Sequence, residues 1–172
     1  VLELSHPIVE PRFSMNAYFT EAEEAYSVVQ EITSAFRSIT TYINGQISLS
    51  SENLKDPTLL FTDANVSPEG FTYAGTSKTS RLTAASVRYI DKYDNFKSKV
   101  AYFEDPGGID KFGFKEEEVL GLGCTSKGQA QRMAKFIVLA PLLESEMISF
   151  STGLEGAMLL PGAIIEVSDS RR

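Results

Sequence analysis

An Asn-Gly pair between two β-rich arms is the feature that most narrows what this chain can fold into. Residues 40–50 read TTYINGQISLS. A two-residue hairpin loop needs positive φ at its central positions, and Asn-Gly adopts it at the least steric cost. Such a loop pairs Ile43 with Gln46, Tyr42 with Ile47 and Thr40 with Leu49. Tyr42, Ile47 and Leu49 then share a face expected to pack on a helix, with Thr41 and Ser48 on the other side.

The expected helix lies just upstream. Thr20-Glu21-Ala22-Glu23 has the form of a capping box, in which a hydroxyl takes one free amide and a glutamate reaches back to another. Acidic residues in a first turn also suit the helix dipole. Behind the box, Ala22, Ala25, Tyr26, Val29, Ile32, Thr33 and Phe36 recur at helical spacing. The pattern predicts a helix over 21–37. Before it, Phe13, Met15, Ala17 and Phe19 alternate with polar neighbours and predict a strand over 12–19.

Residues 51–80 hold Asp56-Pro57, Ser67-Pro68 and several glycines, and read as loop with one or two short strands. Residues 81–104 predict a second hairpin around DKYDN, the turn at 91–95. Val87 and Tyr89 alternate with Arg88, and Phe96, Ser98, Val100 and Tyr102 alternate with Lys97 and Lys99. The basic side chains are expected on the solvated face. DPGGIDKFGF reads as a loop or a single helical turn, and KEEEVLGLG as another strand. ESEMISFSTG and AIIEVSD read as a closing hairpin with a turn at GLEG.

The stretch 121–134, GLGCTSKGQAQRMA, admits three chemistries. A phosphate loop needs glycine, then lysine, then a hydroxyl; here the order is Thr125-Ser126-Lys127-Gly128, so that pattern fails. A dinucleotide fingerprint needs a third glycine where Ser126 stands, and fails too. A nucleophilic Cys124 needs a base, and the chain has one histidine, His6, far away in sequence. The third reading is a helix start: Ser126-Lys127-Gly128-Gln129 is a capping box, and Ala130, Met133, Ala134 and Ile137 follow at helical spacing. Lys127, Gln131 and Lys135 line the opposite face. The helix is expected over 126–140, ended or kinked by Pro141. Cys124 is expected to be structural.

Composition limits function further. The chain has 172 residues, enough for one domain or two small ones. With 16 basic against 23 acidic residues, the net charge is −7. That opposes non-specific binding to nucleic acid or anionic membrane, which need a positive field. No apolar run approaches the ~20 residues of a membrane span. One cysteine and one histidine leave any metal site to oxygen ligands alone. Glu116, Glu117 and Glu118 are consecutive, so Glu116 and Glu118 could share a strand face. A working acid and base need distinct environments, and a solvated charge run explains the three better. The expected inventory is therefore no catalytic residue, no cofactor and no metal. The expected fold class is α+β, mainly antiparallel strands and hairpins with two principal helices, about 21–37 and 126–140. The chain is read as one fragment over 1–172. If it divides, 1–80 would be a helix-hairpin subdomain and 81–172 a sheet-helix subdomain.

One run is less generic. In GCTSKGQAQRMAKFIVLAPLLESEMISFSTGLEGAMLLPGAIIEVSD, the telling residues are Gly123-Cys124-Thr125-Ser126, Gly128-Gln129-Ala130, Arg132, Leu142-Leu143-Glu144, Phe150-Ser151, Gly153, Glu155-Gly156 and Pro161-Gly162 before Ile164-Ile165-Glu166. This resembles the central tail-tip proteins of lambda-like phages, the host specificity or tip attachment J family. SAFRSITTYINGQISL and VRYIDKYDNFKSKVAYFEDPGGIDKFGF look like the same family's helix-hairpin and long-hairpin segments. Pro141 departs from the uninterrupted helix of that family. The resemblance implies an internal hub fragment of a longer phage or prophage protein, a structural part of the tail tip or baseplate hub. It implies a trimer in the parent, contacts with tail-tip and tail-tube proteins, and a place in the virion after assembly in the host cytoplasm. Host attachment would belong to other parts of the parent, and DNA would pass through the tube without specific binding. No catalytic residue is implied. The other readings are a receptor- or carbohydrate-binding module, since seven tyrosines and eleven phenylalanines could include a sugar-stacking surface, and a wall hydrolase with paired carboxylates. Most aromatics fall on core-type stripes, which favours the structural reading.

Overall fold

The structure is a computed structural model and describes residues 10–19, 24–43, 45–53, 55–75, 81–144 and 146–172. It is α+β, and the chain folds as two compact units, each discontinuous in sequence: residues 1–24 with 81–142, and residues 25–80 with 143–172. The expected contiguous second half is not what forms, because the last thirty residues supply strands that pair with those near 60 and 73.

The first unit is built on a three-stranded sheet in the order β6-β5-β7. Strand β5 (Ala84–Asp91) is central, antiparallel to β6 (Lys97–Glu104) and parallel to β7 (Glu116–Leu120). The parallel pair requires a crossover, supplied by α2 (Pro106–Phe112). Here DPGGIDKFGF forms two helical turns rather than a loop. Asp105 accepts the Gly108 N–H at 2.8 Å as N-cap, and Pro106 takes the first position, where its missing N–H costs nothing. Buried Thr83 then fixes the way into β7: its hydroxyl donates to the Gly113 carbonyl at 2.9 Å and accepts the Lys115 N–H at 2.8 Å.

Helix α3 (Lys127–Leu143) contributes Ala130, Ala134 and Val138 to a core with Ala85, Val87, Tyr89, Ala101 and Cys124. Two alanines on its buried stripe allow close approach to the sheet. Lys127, Gln131 and Lys135 are exposed, as the spacing requires. Pro141 does not end the helix, which continues to Leu143. A proline in the last turn forfeits one hydrogen bond there, with little helix left to disrupt.

The alternation on β6 was expected to bury Phe96, Val100 and Tyr102 and expose the lysines. The register reverses this. Ala101 lies opposite Val87 and Lys99 opposite Tyr89, so Lys99, Ala101 and Phe103 share the core face. Phe96, Val100 and Tyr102 are exposed. Lys99 tolerates its position because its ammonium reaches Asp91 at 2.9 Å and Asp94 at 3.0 Å in the β5–β6 turn. Those pairs hold the Asp94 carboxyl below its ordinary value and raise the lysine. Residues 12–19 also differ from expectation. They form no strand, and their polar groups bond to the 123–132 region one by one.

In the second unit, α1 (Ala25–Ser34) leads through a turn into β1 (Ser38–Ile43), which pairs antiparallel with β2 (Gln46–Ser51). The capping box at 20–23 and Asn44 lie outside the described residues. Thr40 lies opposite Leu49, Tyr42 opposite Ile47 and Ile43 opposite Gln46, the register the turn predicts, and Gly45 has φ of 78°. The face toward α1 is the expected one, because Thr40 shares it with Tyr42, Ile47 and Leu49, but α1 meets it through the hydroxyls of Thr33 and Thr40, 2.7 Å apart, and the three apolar side chains are exposed. Strand β3 (Leu59–Thr62) pairs parallel with β9 (Ile165–Ser168), and β4 (Thr72–Gly75) antiparallel with β8 (Glu146–Ser149). The expected closing hairpin of β8 with β9 is therefore replaced by two long-range pairings, with GLEG opening a 3-10 helix, Leu154–Met158, for which Gly153 is the N-cap. Phe61, Phe71 and Phe150 interlock at the centre, with ring centroids 4.9 and 5.2 Å apart around Phe150.

Candidate functional site

The 121–134 stretch folds as the turn after β7 and the first turns of α3. Ser126 accepts the Gln129 N–H at 3.1 Å, the cap expected from the sequence. The reciprocal half of the box is absent: Gln129 Oε1 instead accepts the Ser14 N–H at 3.0 Å and the Ser14 hydroxyl at 2.9 Å. Residues 10–16 lie as a strap across this end of the helix. Asn16 donates its N–H to the Gly123 carbonyl at 2.9 Å and its side-chain amide to Thr125 at 2.8 Å. Arg132 donates to the carbonyls of Pro11 and Arg12 and, at 3.1 Å, to the Glu10 carboxylate.

Glu10 answers the phosphate question. A helix N-terminus attracts anions through its free N–H groups and dipole. Beside this end of α3 lies the chain's own carboxylate, which accepts hydrogen bonds from the Ser126 hydroxyl and from Arg132. The Ser126 bond, and then Arg132, keep the Glu10 carboxyl below its ordinary value of 4.5 against the opposing effect of burial. The glycines have local reasons. Gly123 has φ of 61°, and a Cβ there would come within 2.6 Å of Met15 Cγ. Gly128 has no room for a Cβ beside Glu10.

Cys124 is 2% exposed, its thiol donates to the Ser126 carbonyl at 3.4 Å, and burial raises its pKa. A thiol held protonated in a core is a poor nucleophile. His6 lies outside the described residues. Of the three glutamates, Glu116 accepts from Ser86 and Glu118 pairs with Arg88, both at the surface. Among the described residues no three acidic, histidine or cysteine side chains form a metal cluster. No described helix is long and apolar enough to cross a membrane.

The unspent chemistry is on the surface. Aromatics assigned to core stripes are exposed, among them Tyr42, Phe96 and Tyr102. Tyr102 and Val100 stand on the outer face of the first unit's sheet, where the Tyr102 hydroxyl donates to Glu104 at 2.7 Å and is pushed up to about 12. In the second unit, Ile39, Tyr42, Ile43, Ile47 and Leu49 are exposed on the β1–β2 hairpin. Near the C-terminus, the Tyr73 hydroxyl donates to Asp169 at 3.0 Å and the Arg172 guanidinium lies 4.5 Å over the Tyr73 ring. This arrangement suits contact between proteins better than turnover of a small molecule. The exposed apolar positions followed from neither period nor propensity, because both signal an amphipathic face without saying what covers it.

Comparison with known proteins agrees with this character. The family model described as "Putative phage tail protein" matches residues 24–172. The chain is 29% identical over 161 residues to tip attachment protein J of Escherichia phage SECphi27, covering 94% of this chain and 13% of that protein. It is 22% identical over 162 residues to tip attachment protein J of Escherichia phage SECphi4, covering 94% and 14%. The chain thus spans about one-seventh of the length of these curated relatives. Its fold resembles the crystal structure of the tail protein from Neisseria meningitidis MC58, with a TM-score of 0.62 and 13% identity over 90% of this chain and 48% of that one. With a family match running from the first helix through the last strand, the chain belongs to this family of phage tail proteins.

Proposed function

We propose that the chain is a structural segment of a phage tail tip, carried in a longer protein at the distal end of the tail tube. The observation that carries this is the match of 94% of the chain to one stretch of two proteins named for tip attachment. In this reading the parent also mediates host attachment, copies associate as a trimer, and neighbouring tail-tip and tube proteins are the other partners. The segment performs no reaction, which fits a thiol held protonated in the core and carboxylates engaged by serine and arginine. It resides in the virion after assembly in the host cytoplasm, and its net charge of −7 suits a tube that passes DNA without holding it.

The test is to tag this segment in a phage that carries it and locate the tag on purified virions by gold labelling. Label at the free end of the tail is expected. Label elsewhere, or fully infective tails after deletion of the segment, would overturn the reading.

A further inference from the structure

We propose that residues 10–16 form a releasable latch on α3, a strap that opens and closes over the start of the helix while the rest of the first unit stays folded, with Glu10 as its catch.

The strap contributes nothing to the buried core. None of residues 10–16 is fully buried, and Pro11, Arg12 and Asn16 are exposed. The core of this unit is made by β5, β6, the turn at Cys124 and α3, with no residue of the strap. Shared apolar burial is what makes a segment open only together with its unit, and here that coupling is weak.

What the strap covers is polar. Thr125, Ser126 and Gln129 are buried at the start of α3, and each bonds to it. The Asn16 side-chain amide donates to Thr125 at 2.8 Å, Ser14 donates twice to Gln129 Oε1, and the Ser126 hydroxyl donates to Glu10. Water can replace each of these bonds, so this seat is tolerable wet, as an apolar one would not be. The helix also keeps its own cap when the strap lifts, because the Gln129 N–H donates to Ser126 within the α3 turn.

The closed position is nevertheless a shaped one. A Cβ at Gly123 would come within 2.6 Å of Met15 Cγ, and one at Gly128 would collide with the Glu10 carboxylate. The strap therefore has a single seat, cut to it at two glycines.

The catch is one charge. The Glu10 carboxylate faces Ser126 and Arg132 at the start of α3, Lys92 in the β5–β6 turn and Cys124 in the turn before the helix. Arg132 grips the same end of the strap, donating to Glu10 at 3.1 Å and to the carbonyls of Pro11 and Arg12 at 3.1 and 3.2 Å. Hydrogen bonds to ionised groups are roughly twice as strong as neutral ones, so this end holds the rest of the strap down. Removing the Glu10 charge weakens the catch without touching the core.

The experiment is native-state amide hydrogen exchange on the 172-residue chain, read residue by residue in rising low concentrations of guanidinium. The Ser14 and Asn16 N–H groups, bonded to Gln129 and Gly123, report the strap, and the amides of Ala84–Asp91 report the unit. Ser14 and Asn16 are expected to be protected, to exchange faster than the slowest β5 amides, and to respond hardly at all to denaturant. The β5 amides should respond steeply, since denaturant sensitivity scales with the surface an opening exposes. Glu10→Gln should speed Ser14 and Asn16 exchange about fivefold, the loss of one ordinary hydrogen bond, and leave their denaturant response flat. Glu118→Gln, which breaks a surface pair with Arg88 elsewhere in the unit, should leave both amides unchanged. Ser14 and Asn16 exchanging at the β5 rate with the β5 denaturant response would overturn the proposal, because the strap would then open only with the whole unit. So would an absence of protection at both amides, or a Glu10→Gln variant whose strap exchanges as the parent's does. The parent chain alone decides the first two outcomes, whatever the fate of the variant.

Discussion

Glu10 joins two elements far apart in sequence and makes the α3 N-terminus dependent on pH. Its carboxylate is stabilised in the folded chain by Ser126 first and Arg132 next, with Lys92 adding a weaker attraction. A lowered folded-state pKa means that the ionised group favours folding above the unfolded value and loses that contribution as pH falls through the folded one. Glu10→Gln is therefore expected to cost about 1 kcal/mol at neutral pH. The gap between parent and variant melting temperatures should narrow below about pH 4. A gap that stays constant down to about pH 3 would mean that another group carries the acid sensitivity. The sequence showed Ser126 as a cap, because a cap follows from local spacing. It did not show Glu10, since a strap held by single side-chain bonds has no period to read.

At the scale of elements, the hairpin register was legible from the turn, because Asn-Gly fixes loop length and loop length fixes pairing. The face of β6 was not legible. On β6 Val100 and Tyr102 lie outward, since β5 decides which side is core and places Ala101 against Val87. In the second unit, Phe61 on β3 is 1% exposed and packs against Phe150. Phe61→Ala is expected to destabilise that unit by roughly 3–5 kcal/mol, the usual cost of deleting a buried ring. Chemical denaturation monitored through the second unit's amides would measure it. A loss under about 1 kcal/mol would show that the three-ring contact is not a core.

For the whole molecule, the α+β class and the strand-rich order were readable from the pattern, and the partition was not. Pairing of β3 with β9 and β4 with β8 places the end of the chain in the same unit as residues 25–80. No local signal announces a partner more than seventy residues away. Truncation after Glu144 should accordingly abolish hydrogen-exchange protection at Leu59–Thr62 and Thr72–Gly75. It should leave that of Ala84–Asp91 in place, because the first unit's core lies within the retained residues. Simultaneous loss of both would show that the units fold as one cooperative body.

The interleaving of the two units also sets an order of events during synthesis. Residues 25–80 emerge early, yet β3 and β4 have no partner until β8 and β9 have left the ribosome, more than seventy residues later. The first unit can close as soon as α3 is out. For that interval Leu59–Thr62 and Thr72–Gly75 are unpaired strands on a nascent chain, a state prone to wrong pairing with neighbours. Translation speed between β4 and β8 therefore becomes a determinant of yield, since a shorter interval leaves those strands unpaired for less time.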